Sequence, residues 1–325
     1  MSELRWHPLL QEWVITATHR QERTFHPPPE YCPLCPTRPG GVPTEVPEPD
    51  YEIVVFENRF PSLLREPPTP AVAPTPFSPV MPAQGVCEVA LYTPDHDATL
   101  AELPLDRIEQ LIAVWRDRYL ELGARPEVQY VFIFENKGRE IGVTLSHPHG
   151  QIYAYPFLPP KLERERDAMR RYYESTGGNL LLEILRHELQ DGRRIVQQRG
   201  GWVSFVPFFA RYPYEVYLAP ESPRRDLADL TDDEIAGLAC ILKDTLLRYD
   251  RLWGFSMPYI MAQHPRPTDG EAYPYWQFHI EFYPPYRTRD KLKYLAGSES
   301  GAGVFINDTL PEETAQALRA IAVEV

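Results

Sequence analysis

Two hydrophobic periods succeed one another along this chain, and the succession occurs twice. Residues 90–122 read ALYTPDHDATLAELPLDRIEQLIAVWRDRYLEL, and residues 216–249 read VYLAPESPRRDLADLTDDEIAGLACILKDTLLRY. Each begins with a short apolar run, passes a proline and a polar loop, and turns at L-A-(E/D)-L into a stretch of period 3.6. Ile108, Leu111, Ile112, Trp115 and Tyr119 fall on one helical face of the first stretch; Ile235, Leu238, Ala239, Leu242 and Leu246 do so in the second. Asp106 and Thr231 stand where N-caps belong. Residues 51–56 (YEIVVF) correspond to 202–208, and residues 130–135 (YVFIFE) to 259–263. Histidine-bearing strands follow at 147–155 and 276–283. Each half is therefore predicted as β–β–helix–β–β with antiparallel meanders. The fold class is α+β: two similar antiparallel-sheet halves, 1–160 and 161–325, lie side by side with helices packed on them. A helical stretch over residues 161–191 joins them.

Composition changes this picture at two places. Many of the 36 prolines fall within residues 27–49 and 67–82. These stretches are predicted as ordered extended loops without helix. Four cysteines are too few for a disulfide framework in 325 residues. Cys32-Pro-Leu-Cys35 has the spacing of metal ligands or a redox pair, and no βαβ pattern surrounds it to favour redox chemistry. Cys87 and Cys240 lie in apolar runs and read as core residues.

The net charge of −13 argues against nucleic acid or an anionic membrane as a general partner. No apolar run has the length of a transmembrane helix. Glu3, Arg5 and His7 interrupt any signal-peptide core, so the expected location is cytoplasmic.

The sharpest chemical signal is Ser146-His147-Pro148-His149-Gly150-Gln151, followed by the apolar Ile152-Tyr153-Ala154-Tyr155. In a regular strand His147, His149 and Gln151 share a face. Pro148 and Gly150 make the strand's start irregular, which lets the two imidazoles serve adjacent sites. A neutral imidazole at His149 suits attack on phosphorus, and a neutral amide at Gln151 suits an adjacent oxyanion.

This H-P-H-G-Q strand resembles the active-site motif of the galactose-1-phosphate uridylyltransferase family, in the histidine-triad superfamily. Further matches run along nearly the whole chain. They are His19-Arg20-Gln21-Glu22-Arg23, Cys32-Pro-Leu-Cys35, Val55-Phe56-Glu57-Asn58, Pro94-Asp95-His96, Phe134-Glu135-Asn136-Lys137-Gly138, and WQFHIEFYPP over residues 276–285. The resemblance implies a duplicated histidine-triad fold, in agreement with the repeat. It implies a ping-pong reaction: His149 takes UMP from UDP-glucose, glucose 1-phosphate leaves, and galactose 1-phosphate departs as UDP-galactose. It places Gln151 on the phosphoryl oxygens, and Arg20, Arg23, Asn58, Asn136 and Thr144 on the nucleotide and its phosphates.

The same resemblance implies a structural zinc on Cys32, Cys35, His96 and His147. It implies a second metal, iron or zinc, on Glu165, His264, His279 and Glu281, where Glu281 replaces a histidine usual in the family. The second half lacks H-x-H-x-Q, so catalysis is expected in the first half alone. Lys293, Tyr294 and Glu299 match positions that touch the hexose in the active site of the other subunit, which implies a homodimer with shared sites. Ser298 and Phe305 depart from the family there, and the glycine-rich residues 296–304 read as a loop over the sugar. Two other functions fit parts of the pattern: an ADP-glucose-type nucleotide-sugar phosphorylase, and a non-catalytic zinc-stabilised nucleotide-binding module.

Overall fold

The computed structural model describes residues 2–22 and 27–325. Its strands in the first half are β1 (Ser2–His7), β2 (Glu12–Ala17), β3 (Val54–Glu57), β4 (Val80–Pro82), β5 (Val86–Leu91), β6 (Tyr130–Lys137) and β7 (His149–Tyr155). Helix α1 (Leu105–Gly123) lies between β5 and β6. Helices α2 (Pro160–Thr176) and α3 (Leu180–Asp191) lead into the second half. There β8 (Ile195–Arg199), β9 (Trp202–Phe205) and β10 (Val216–Pro220) precede helix α4 (Asp232–Leu252). Strands β11 (Tyr259–His264) and β12 (His279–Tyr283) follow, then the small hairpin β13 (Tyr286–Thr288) and β14 (Lys291–Leu292), and helix α5 (Pro311–Arg319).

The two predicted sheets are in fact one. Nine antiparallel strands run in the order β3-β5-β7-β6-β11-β12-β10-β9-β8. From one side the order is β3, β5, β7, β6; from the other, after β8, it is β9, β10, β12, β11. The halves therefore meet head to head at the β6–β11 pairing, where Glu135 lies opposite Met261 and Phe134 opposite Ala262. A separate small sheet of β2, β1 and β4 packs Leu4 against Leu63, Cys87 and Tyr153.

Alternation along the strands assigns the two faces. Val131, Ile133, Ile152, Ala154, Ile280 and Phe282 point to one side and pack with the apolar faces of α1 and α4 in a single core. Gln151 and Tyr153 point to the other. All ten helix-face residues named from periodicity are buried. Thr231 caps α4 in a reciprocal pair with Glu234. Asp106 is not a cap: α1 starts at Leu105 with Pro104 before it, so Asp106 lies in the first turn, where its charge still favours the helix dipole. The joining helical stretch is broken after Thr176 by Gly177, whose φ of 72° ends α2 in the left-handed region. The first proline-rich stretch holds one 3₁₀ turn, Pro29–Tyr31, and the second contributes β4 at its end. Cys87 is buried and Cys240 half-buried. Among the described residues no helix is long and apolar enough to cross a membrane.

Candidate active site

Strand β7 begins at His149, one residue after Pro148. The His149 Nδ1 lies 2.8 Å from the His147 carbonyl. A carbonyl only accepts, so Nδ1 carries the proton and Nε2 keeps the lone pair. Burial pushes the His149 pKa down, which favours the neutral ring. The imidazole is thus held in the tautomer that exposes a nucleophilic nitrogen.

Two cavities meet at this ring. One, of about 230 Å³, is lined by Arg20, Asn58, Asn136, Thr144, His149 and Gln151, among others. The second, of about 310 Å³, shares His149 and Asn136 and runs past Lys137, Arg139, Ser146 and Tyr286. Five residues expected at the nucleotide therefore come together with His149 in one cavity. Arg23 lies outside the described residues. Within the first cavity a relay orients the amide: Arg20 Nη1 donates to the Tyr153 hydroxyl at 3.3 Å, which donates to Gln151 Oε1 at 3.3 Å. With its oxygen occupied, Gln151 keeps its NH₂ for another acceptor. Arg20 is itself anchored on the Phe60 carbonyl at 2.8 Å and Ser62 Oγ at 2.9 Å.

Cys32, Cys35, His96 and His147 also converge, with ligand atoms all within 4.8 Å of one another. Cys35 Sγ lies 3.3 Å from His96 Nδ1 and 3.6 Å from His147 Nδ1. A tetrahedral zinc with usual Zn–S and Zn–N lengths sets that edge at about 3.6 Å. Burial, reinforced by the Cys32 thiol, pushes Cys35 up to about 12, so two thiolates here call for a cation. Burial takes His147 down to about 4, which keeps it a neutral ligand. Its Nε2 is held by the Thr93 carbonyl at 2.9 Å, which also accepts the Tyr51 hydroxyl at 2.6 Å. His96 Nε2 meets Ser146 Oγ at 3.0 Å. These residues fit a structural zinc.

Glu165, His264, His279 and Glu281 form a second such group. His264 Nδ1 lies 2.8 Å from Glu165, and its Nε2 lies 3.5 Å from Glu281. His279 Nε2 lies 3.4 Å from Glu281. Nitrogen and carboxylate donors suit iron or zinc. Lys161 hydrogen-bonds Glu281 and Arg211 lies 3.6 Å away, cations to which no motif in the sequence points. His279 opens β12 as His149 opens β7, and its Nδ1 lies 3.0 Å from the Gln277 carbonyl two residues before it. The second half thus preserves the histidine's backbone setting, with Gln277 in place of His147 and Glu281 in place of Gln151.

Lys293, Tyr294 and Glu299 line neither cavity beside His149. Lys293 Nζ is 3.0 Å from Glu299 Oε1, and Glu299 also accepts the Ala296 and Ile306 amides. The lysine and these amides hold the Glu299 carboxyl down at about 2. The glycine-rich loop is accordingly a wide helical turn, Gly297–Gly301, closed by Ser298 Oγ on the Val304 carbonyl at 2.8 Å. Phe305 packs on Tyr212 and Arg211. Tyr294 is 76% exposed. Tyr51, Tyr153 and Ser62 were missed as supports of the site, because lone hydroxyls in apolar runs carry no spacing signal.

A doubled β–β–helix–β–β unit with a half-buried neutral histidine at the start of a central strand, between two cavities, defines a duplicated α+β fold suited to nucleotidyl transfer. Comparison with known proteins narrows the class. Residues 1–159 match the model of the galactose-1-phosphate uridyl transferase N-terminal domain, and residues 165–325 that of its C-terminal domain. The chain belongs to this family. A galactose-1-phosphate uridylyltransferase of Thermotoga maritima is 41% identical over 100% of both chains. A solved uridylyltransferase superimposes with a TM-score of 0.86 at 35% identity, covering 98% of this chain and 97% of its own. An ADP-glucose phosphorylase from Arabidopsis thaliana, with bound ADP-glucose, shares the fold at a TM-score of 0.75 and 23% identity, over 100% of both chains.

Proposed function

We propose that the protein is a UDP-glucose–hexose-1-phosphate uridylyltransferase that works through a uridylyl-His149 intermediate. The observation that carries this reading is the neutral His149 imidazole, proton on Nδ1 and lone pair on Nε2, at the meeting point of two cavities. UDP-glucose places its nucleotide among Arg20, Arg23, Asn58, Asn136 and Thr144. His149 Nε2 attacks the α-phosphorus, an N–P bond forms, and the bridging P–O bond breaks. Glucose 1-phosphate leaves with the bond's electrons on its phosphate oxygen. The Gln151 NH₂ donates to the non-bridging oxygens as charge builds there. A phosphate oxygen of galactose 1-phosphate then attacks the same phosphorus, the N–P bond breaks, and UDP-galactose departs.

Cys32, Cys35, His96 and His147 hold a structural zinc in this reading, which ties the proline-rich loop to the start of β7. Glu165, His264, His279 and Glu281 hold a second metal, iron or zinc, in the half without the nucleophile. Lys293, Tyr294 and Glu299 serve the sugar in the cavity of a second copy, in a homodimer with shared sites. A cytoplasmic location accompanies these substrates.

Mass spectrometry of the protein incubated with UDP-glucose alone tests the reading. The expected result is a uridylyl adduct on His149, absent from His149→Ala, with one glucose 1-phosphate released per adduct. An adenylyl adduct formed only from ADP-glucose would point to the phosphorylase. Nucleotide binding with no adduct would point to a non-catalytic module.

A further inference from the structure

Behind the strand that carries His149 lies a carboxyl group with no part in the chemistry so far. Glu135 is on β6, directly opposite Gly150 of β7, and is 3% exposed. It points to the α1 and α4 side, away from Gln151. Both of its oxygens are engaged: Oε2 accepts the Tyr92 hydroxyl at 3.3 Å and Oε1 accepts the Tyr259 hydroxyl at 3.1 Å. Tyr92 follows β5, and Tyr259 comes from β11 in the other half. The Tyr92 hydroxyl occupies the space over the Gly150 α-carbon, where an added Cβ would lie 2.2 Å from it. Gly150 is thus a seat for this hydroxyl, one peptide from His149. We infer that Glu135 is a positioning residue for the proposed uridylyl transfer: by accepting both tyrosine hydroxyls it holds Tyr92 on Gly150 and so fixes the strand start that aims His149.

The two-donor pattern is strongest with an ionised carboxylate, because a protonated one accepts more weakly and adds a donor that competes for the same space. Burial pushes Glu135 up to about 7, against the opposing pull of Lys137 and the two hydroxyls. Both tyrosines are held far above their ordinary pKa by burial and remain donors. Lys137 of β6, 3.1 Å from Asp250 of α4, is the charged group that acts on Glu135; further along the same face β5 contributes Glu88, paired with Arg118 of α1 at 2.8 Å, and β7 sets uncharged Gly150 opposite Glu135. The hold on His149 therefore weakens as pH falls through neutrality.

This inference rests on the uridylyl-transfer reading, and single-turnover release of glucose 1-phosphate from UDP-glucose tests it while keeping the two apart. The unmutated protein is expected to show a rate constant with an acid limb near pH 7. Glu135→Gln carries the protonated pattern permanently. Its rate constant is expected to be roughly 10- to 100-fold lower at pH 8, with the limb near 7 gone and half-saturating UDP-glucose unchanged. Gly150→Ala is expected to slow the same step, and Tyr92→Phe in that background to recover it, because the methyl then takes the hydroxyl's place. An unmutated protein that releases glucose 1-phosphate together with a Glu135→Gln protein of unaltered rate and pH profile overturns this inference alone. No release from the unmutated protein overturns the transfer reading and this one with it. A Glu135→Gln protein that fails to fold moves the decision to Tyr92→Phe, where an unchanged limb near pH 7 also counts against the inference.

Discussion

At the scale of single residues, the site's chemistry depends on which atom of each polar group is left over. His149 gives its Nδ1 proton to the backbone, and Gln151 has its oxygen occupied by Tyr153, so an attacking nitrogen and a donating amide remain for substrate. Because the amide acts where charge develops, Gln151→Ala is expected to lower kcat by about 10²–10³ with a much smaller change in the Michaelis constant for UDP-glucose. A steady-state comparison of the two parameters checks this. A change confined to the Michaelis constant would make Gln151 a ground-state contact instead. The identities of His149 and Gln151 were legible in the sequence because H-x-H-G-Q combines rare residue types at strand spacing. Their orientation was not, since it depends on Tyr153 and Arg20, which meet only after β7 and the N-terminal segment fold together.

At the scale of elements, the proline-rich loop has little apolar anchorage of its own. Cys32, Leu34 and Val46 join a small cluster with Val89 and Leu91, and beyond that the loop is tied to β7 through the cysteine–histidine group. A bound zinc at this place contributes directly to folding free energy, because the unfolded chain does not present the ligands together. Cys32→Ser is therefore expected to lose one metal per chain and to melt at a lower temperature. Elemental analysis is expected to find two metals per unmutated chain and one in the variant, the latter at Glu165, His264, His279 and Glu281. Two metals in the variant would contradict the assignment of Cys32. One in the unmutated chain and none in the variant would leave Lys161 and Arg211 as the partners of Glu281. Of the two groups, the Cys32–Cys35 pair was legible from its spacing, and the other members came only through the family resemblance. The compensating Lys161 was not legible, because it comes from the first turn of α2 and nothing in its local sequence relates it to β12. The same limit applies to Asp106, whose residue type suits a cap although Pro104 takes that position.

At the scale of the whole molecule, the repeat predicted two like halves, and β6–β11 pairing joins them into one sheet. Pattern alone reveals which strands exist and which face each buries; it says little about which edges meet, because β6 and β11 each carry apolar residues and a few polar ones on the helix side and either could have been an outer strand. The joint is reinforced on the helix side. Tyr119 of α1 donates to the Arg266 carbonyl at 3.0 Å, Lys243 of α4 hydrogen-bonds the Leu103 carbonyl, and residues of both helices share one core. Two halves that share a sheet and a core have no independent interior to retain when one of them opens. The zinc-loaded protein is therefore expected to unfold in a single calorimetric transition. Trp115→Ala in the first half, at about 3–5 kcal/mol, and Leu242→Ala in the second, at about 2–5 kcal/mol, are each expected to shift that whole transition downward. Both side chains are buried to 1% exposure or less, so each substitution opens a cavity in the common core. If instead Trp115→Ala lowered one of two resolved transitions and Leu242→Ala the other, the halves would be separate folding units, and the β6–β11 pairing would join them without making them cooperative.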